Sequence, residues 1–350
     1  MIRRLRNSNA DEAAGFAVAW ALILVALGVV MATTSTGDVA FAGWLVFGPF
    51  CVASGAGTEM ERSTRAAFAA ARVRRAMRRR QLRLHFQPEV DVQTGEVRSV
   101  EALIRWDHPR LGLVSPDRFV PQMERGWHAH GFNAYVIEEA VREASAWNRD
   151  GRPLRVAVNV SISSLGPDLV DTVGAALDRH RLPGHLLQVE LTEGGPADPF
   201  GRLDACAAPL SELKARGVSV ALDDFGTGQS SLARLVSLPT DMIKIDRCFV
   251  IPMLEDPLRW EIVRSAIALG RTSGVKVVAE GIETEAHMVA LRRLGVDMVQ
   301  GFALAVPMPA EKLRTWLEAR RPQPATAPER LPRRRDRRLP VPAAPAAVAV

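Results

Sequence analysis

The sequence predicts an α/β fold: a TIM-like (β/α)8 barrel preceded by two transmembrane helices. Three observations carry this expectation. Eight short apolar runs alternate with amphipathic stretches between residues 81 and 319. Two long uncharged runs precede them. No G-x-G-x-x-G follows the first strand-like run, which weighs against the alternative, an open doubly wound sheet.

The N-terminal runs come first. Residues 13–32 (AAGFAVAWALILVALGVVMA) and 39–57 (VAFAGWLVFGPFCVASGAG) carry no charge. Twenty helical residues at ~1.5 Å each span ~30 Å, the thickness of a bilayer core. Only TTSTGD separates the two runs, so residues 1–57 read as a membrane hairpin. A cleaved signal peptide accounts for the first run and not the second. A soluble helix pair would show a polar stripe, and neither run has one. Arg3, Arg4 and Arg6 precede the first span, eight arginines fall in 58–80, and the loop has no Lys or Arg. The positive-inside rule then places both termini on the cytoplasmic side of the plasma membrane. Residues 58–80 read as a basic juxtamembrane helix or linker near anionic headgroups. Residues 320–350, rich in Pro, Ala and Arg, read as a disordered tail.

Charge is unevenly placed. The whole chain carries +6. Residues 58–80 and 320–350 each carry eight Arg against two acids, which leaves 81–319 acidic. The basic balance therefore belongs to the flanks and argues for no nucleic-acid polymer as partner. Three cysteines without a spacing pattern fit a reducing compartment and supply no zinc site.

The barrel region reads as strands at 82–87, 99–106, 155–161, 186–192, 218–224, 242–246, 276–280 and 298–302. Helices are expected at 133–149, 167–180, 201–216, 257–273, 284–294 and 310–319. In such barrels the reactive groups sit at the C-terminal ends of the strands. Those ends carry Glu101, Asn159, Glu190 with Glu193, Asp223-Asp224, Lys244 with Asp246, Glu280 with Glu283, and Gln300. One such acid alone is ordinary, since Asp and Glu also cap the following helix. Carboxylates or carboxamides on nearly every strand would repel one another unless a cation lay among them. All-oxygen ligation points to Mg2+ or Mn2+. The Asp223-Asp224 pair suits two ions, the usual device for in-line phosphodiester hydrolysis. Lys244 and Arg105 add positive charge for a phosphate.

These residues lie in motifs that resemble the EAL family of bacterial cyclic di-GMP phosphodiesterases. The motifs are FQP (86–88), EALIRWDHP (101–109), FVP (119–121), VNVS (158–161), VELTE (189–193), DDFGTGQSSL (223–232), LPTDMIKID (238–246), VVAEGIET (277–284) and QGF (300–302). The resemblance covers 82–309 and implies a TIM-like barrel with one antiparallel strand. It implies hydrolysis of cyclic di-GMP to linear pGpG at the cytoplasmic face of a bacterial inner membrane. By motif, Glu101, Asn159, Glu190 and Asp223 would hold a first ion. Asp223 and Asp224 would hold a second, with Glu280 ligating it or its water. Lys244 would orient or deprotonate the attacking water. Arg105 would contact a substrate phosphate, and Gln87 and Gln300 the substrate or water network. Glu283 and Asp246 are supporting residues, Asp246 bracing Lys244, and Glu193 fastens the DDFGTG loop. Ca2+ is expected to inhibit, because of its longer bonds and looser geometry.

The family also implies a homodimer, and the hairpin implies a lipid partner. Gln229 replaces the family's usual Tyr and Gly194 a usual Ser; both changes fall at the regulatory loop and its anchor. The alternative function is a catalytically silent EAL receptor for cyclic di-GMP or a protein. Silent members lose one of the EAL glutamate, the DD aspartates, the lysine or a later glutamate, and all of these are present here.

Overall fold

The computed structural model describes residues 70–123, 128–151, 153–192, 203–227 and 231–320. The expected membrane hairpin, the start of the basic segment, the tail beyond Arg320, Glu193, Gly194 and Gln229 all lie outside the described residues. Among the described residues no helix is long and apolar enough to cross a membrane.

Among the described residues ten strands form one sheet: β1 (Leu82–Asp91), β2 (Val97–His108), β3 (Gly112–Val114), β4 (Arg155–Ser161), β5 (Leu187–Thr192), β6 (Ser219–Phe225), β7 (Met242–Ile245), β8 (Lys276–Ala279), β9 (Met298–Val299) and β10 (Met308–Pro309). Eight of them close on themselves in the order β1-β9-β8-β7-β6-β5-β4-β2, with β2 pairing back to β1. β1 runs antiparallel to both of its barrel neighbours, β2 and β9. The other pairings around the barrel are parallel. β3 and β10 are short antiparallel additions to β2 and β1 that the hydrophobic pattern does not announce.

The expected helices all form, at His128–Arg149, Pro167–His180, Leu203–Ala215, Pro257–Ser273, Glu285–Leu294 and Ala310–Ala319. Their ends follow local chemistry. Asp256 accepts from Leu258 N at 2.9 Å and precedes Pro257, and Gly274 ends that helix at φ +72°. Thr284 caps the next, which Gly295 closes at φ +78°.

The strands are buried on both faces. Outward residues such as Val158, Val189, Val220, Ile243 and Val277 belong to the core shared with the helices. Inside the barrel, Ala221, Met242, Val278 and Met298 form a separate apolar cluster. Each of these four stands two residues before a polar residue of the same strand or its end: Asp223, Lys244, Glu280 and Gln300. With a side-chain period of two, the plug and the polar row face the same way, one above the other.

The domain begins earlier than the expected boundary at 81. Residues 70–78 are helical, and Ala70, Val73 and Ala76 are buried in the barrel's outer core. This i, i+3, i+6 stripe lies inside an arginine-rich segment whose charge hides it. Arg72 lies 5.9 Å from the Trp106 ring centroid.

Candidate active site

One inward residue per strand builds the site. Around the barrel these are Gln87, Glu101, Asn159, Glu190, Asp223, Lys244, Glu280 and Gln300. The lysine is fully buried and sits among the acids. Its Nζ lies 2.7 Å from Glu280 Oε1, 2.8 Å from Glu190 Oε2, 3.3 Å from Glu101 Oε2, 3.8 Å from Glu89 Oε1 and 3.9 Å from Asp223 Oδ1. The carboxamides tie the ring together. Gln300 Nε2 donates to Glu101 Oε2 at 2.8 Å and to Gln87 Oε1 at 3.2 Å. Asn159 Nδ2 donates to Glu101 Oε1 at 2.7 Å. Gln87 Nε2 donates to Ala305 O, which draws the 300–305 turn over the barrel. Gly301 in that turn has no room for a side chain, because a Cβ would meet the Ile282 backbone.

Asp223 and Asp224 pose a geometric problem, since neighbours on a regular strand face opposite ways. The β6–β7 register shifts between Leu222 and Phe225, and Asp224 adopts φ +52°. This irregularity breaks the alternation, as a β-bulge does beside many active sites. Asp224 is thereby brought within electrostatic reach of Asp223, Asp246 and Lys244. Left-handed backbone is tolerated by Asp better than by most residues.

The acids do not share one ionisation state. Burial drives Glu190 and Glu280 well above the usual carboxylate range, against the pull of Lys244. Burial raises Asp223 as well. Burial, Asp223 and Asp246 push Asp224 up to about 7. For Glu101, burial acts upward, but Lys244, Gln300 and Asn159 outweigh it and hold it below its ordinary value. Lys244 loses some basicity to burial, yet Glu101, Glu190, Glu280 and Asp223 raise it well above the usual lysine range. In this arrangement it is an ammonium, a donor and a charge.

The donor set suits a hard cation. Every candidate ligand is an oxygen, and Asn159 Oδ1 and Asp223 Oδ1 are buried without a hydrogen-bond partner. Among the described residues no three Asp, Glu, His or Cys groups stand at mutual ligand spacing. The carboxylates close on Lys244 instead, so binding ions requires them to turn from the ammonium.

Of the expected supporting residues, Asp246 lies beside Asp224 at the edge of the ring. Asp246 does not hydrogen-bond Lys244. It accepts from Cys248 N at 2.9 Å and caps the short helix Arg247–Val250, as a strand-end Asp commonly does. Glu283 is exposed in the loop after β8. Glu193 lies outside the described residues. Arg105 is half-buried and donates to Ile104 O. His108 accepts from Arg110 N and Leu111 N, a turn-forming role. Sequence reasoning missed Glu89, which is fully buried on β1. Counting two residues on from Gln87 would have found it, had the first strand been extended past 87.

Residues 70–307 match the EAL domain family. The chain is 43% identical over 244 residues to the bifunctional diguanylate cyclase/cyclic di-GMP phosphodiesterase MucR of Pseudomonas aeruginosa, covering 69% of this chain and 35% of that protein. It is 39% identical over 251 residues to the cyclic di-GMP phosphodiesterase NbdA of the same organism, covering 71% and 32%. The chain thus spans about a third of the length of these curated relatives. Among solved structures, the PaMucR phosphodiesterase in its c-di-GMP complex superposes with a TM-score of 0.66 at 42% identity, covering 70% of this chain and 99% of that one.

The raised Asp224 makes a prediction for the chelator-treated protein. Unfolded Asp titrates near ~3.9, so between there and about 7 the native state holds a proton that the unfolded state has lost. Stability then rises as pH falls, and Tm is expected to be higher at pH 6 than at pH 8. Asp224→Asn, which keeps the backbone preference, is expected to raise Tm at pH 8 and flatten the dependence. A Tm that falls on acidification from pH 8 to 6 contradicts this.

Proposed function

The chain belongs to the EAL domain family, and on that premise we propose that it hydrolyses cyclic di-GMP to linear pGpG with a divalent cation. The observation that carries the reading is the closed ring of acids and carboxamides around Lys244. A barrel whose purpose was only binding an anion would not bury this many carboxylates on one face of its interior.

The residues divide the work. Glu101, Asn159, Glu190 and Asp223 would hold one Mg2+ or Mn2+; Asp223, Asp224 and Glu280 would hold a second. Bound ions would supply an acidified water and charge for the phosphodiester oxygens. Arg105, the half-buried cation on β2, meets a substrate phosphate. Gln87 and Gln300, already paired, orient the substrate or the water. Lys244 donates to the attacking water and fixes its approach. Water adds to phosphorus, the P–O bond to the ribose 3′ oxygen breaks, and that oxygen leaves with a proton, giving pGpG.

The reading extends to location and assembly. The two uncharged runs and the flanking arginines support anchoring by a two-helix hairpin, with the barrel on the cytoplasmic face of a bacterial inner membrane. Leu232 and Val236, exposed one turn apart on the helix Ser231–Ser237, support a homodimer. Recovery of the full chain in the soluble fraction of a cell lysate would refute the anchor, and a monomeric mass by light scattering of the detergent-solubilised protein would refute the dimer.

The activity is tested with the full chain, cyclic di-GMP and Mg2+ or Mn2+, following pGpG by chromatography. Turnover is expected in either metal and inhibition in Ca2+. Glu101→Ala, which removes a ligand and the partner of Asn159 and Gln300, is expected to lower kcat by at least ~100-fold. Nucleotide binding with no turnover above the Glu101→Ala control would make the protein a receptor instead.

A further inference from the structure

The residues directly beneath the polar row form a second inward row. It holds Ser99, Ala157, Gln188, Ala221, Met242, Val278 and Met298, with Glu89 from the antiparallel β1. Glu89 is the one ionisable member of this floor, and none of its surface is exposed. Its register partner across β1–β2 is Ser99, two residues before Glu101, so it approaches Lys244 from the floor side. One of its carboxylate oxygens accepts a hydrogen bond from Ser99 Oγ. The other has no hydrogen-bond partner and lies 3.8 Å from Lys244 Nζ.

Glu89 differs in kind from the four other acids around that ammonium. Glu101, Glu190, Asp223 and Glu280 all belong to the proposed ligand set. Once they turn to divalent ions, Lys244, itself fully buried, is left beside two dications. Repulsion of unit charges at a few ångströms is severe in such surroundings. A carboxylate that no ion claims is then needed to keep the ammonium charged and in place. From its depth, its anchoring by Ser99 and its free oxygen, we infer that Glu89 is a positioning residue that holds Lys244 from below when the ligand carboxylates are engaged by metal. The inference rests on the proposed metal-dependent function.

The chain has four lysines, Lys214, Lys244, Lys276 and Lys312, so 15N-lysine labelling gives a simple ammonium spectrum. A fully buried ammonium exchanges slowly and is observable. In the full chain without metal, the Lys244 signal is expected in both wild type and Glu89→Gln, because Glu190 and Glu280 hold it. With Mg2+ it is expected to persist in wild type and to broaden or vanish in Glu89→Gln. In the same variant kcat is expected to fall ~10-fold or more while KM stays within ~3-fold, the mark of an interaction felt in the transition state. Tm of the metal-free variant should not fall, since an amide removes a buried charge.

Ser99→Ala, which frees the anchored oxygen, is the second variant if Glu89→Gln does not fold, and it should shift the Mg2+-loaded signal the same way. An unchanged Mg2+-loaded ammonium signal together with an unchanged kcat overturns the inference. So does a lowered Tm with both retained. If wild type shows no turnover, the proposed function fails, and the Mg2+-loaded ammonium signal still decides the role of Glu89.

Discussion

A single buried ammonium holds the barrel's interior together electrostatically. Lys244 is the cation against which Glu89, Glu101, Glu190, Asp223 and Glu280 are set, all within 4 Å. Isolated buried carboxylates are costly, and the raised acids of this ring register that cost. The lysine relieves it in part, and Asn159 and Gln300 relieve it further by donating to Glu101. What remains is a set of carboxylates aimed at one small volume, several of them raised by burial. On the proposed function a divalent cation would bind there by displacing their protons, which would couple stability to proton and metal alike.

Barrel closure makes this arrangement available. An open sheet would spread eight strand ends along a line, whereas the closed barrel points one inward residue from each strand at a common axis. The apolar plug of Ala221, Met242, Val278 and Met298 sets the depth of the ring and keeps water from below. The antiparallel β1 has a particular effect. Because it runs the opposite way, Gln87 at the mouth is followed by Glu89 at the floor, so a charge enters the plug row from that strand alone. The bulge at Asp223–Asp224 does the complementary thing at the mouth, bringing two acids from one strand toward one site.

Much of this was legible in the residues. Runs such as RVAVNVS and LLQVELT mark strands buried on both faces, and Asp256, Thr284 and the glycines that follow their helices mark the ends. The ligand candidates were legible because acids stood at strand ends in an order that matched a known family. Physical context decided the rest. Asp246 and Asp224 are both strand-end acids next to a helix or turn, and only the backbone tells that one caps Cys248 N while the other turns toward the ring. Glu283 has the right composition and the wrong exposure. Glu89 is hidden because the apolar pattern of 82–87 is complete without it, and the packed Ala70, Val73 and Ala76 are hidden among arginines.

The ring's purpose is tested most directly by anomalous diffraction from crystals grown with Mn2+. The account predicts two manganese peaks ~3.5–4 Å apart within the ring, with Glu190 and Glu280 turned from Lys244 toward them. Crystals grown in saturating Mn2+ with no anomalous peak in the barrel, and with Lys244 still bonded to Glu190 and Glu280, would contradict it.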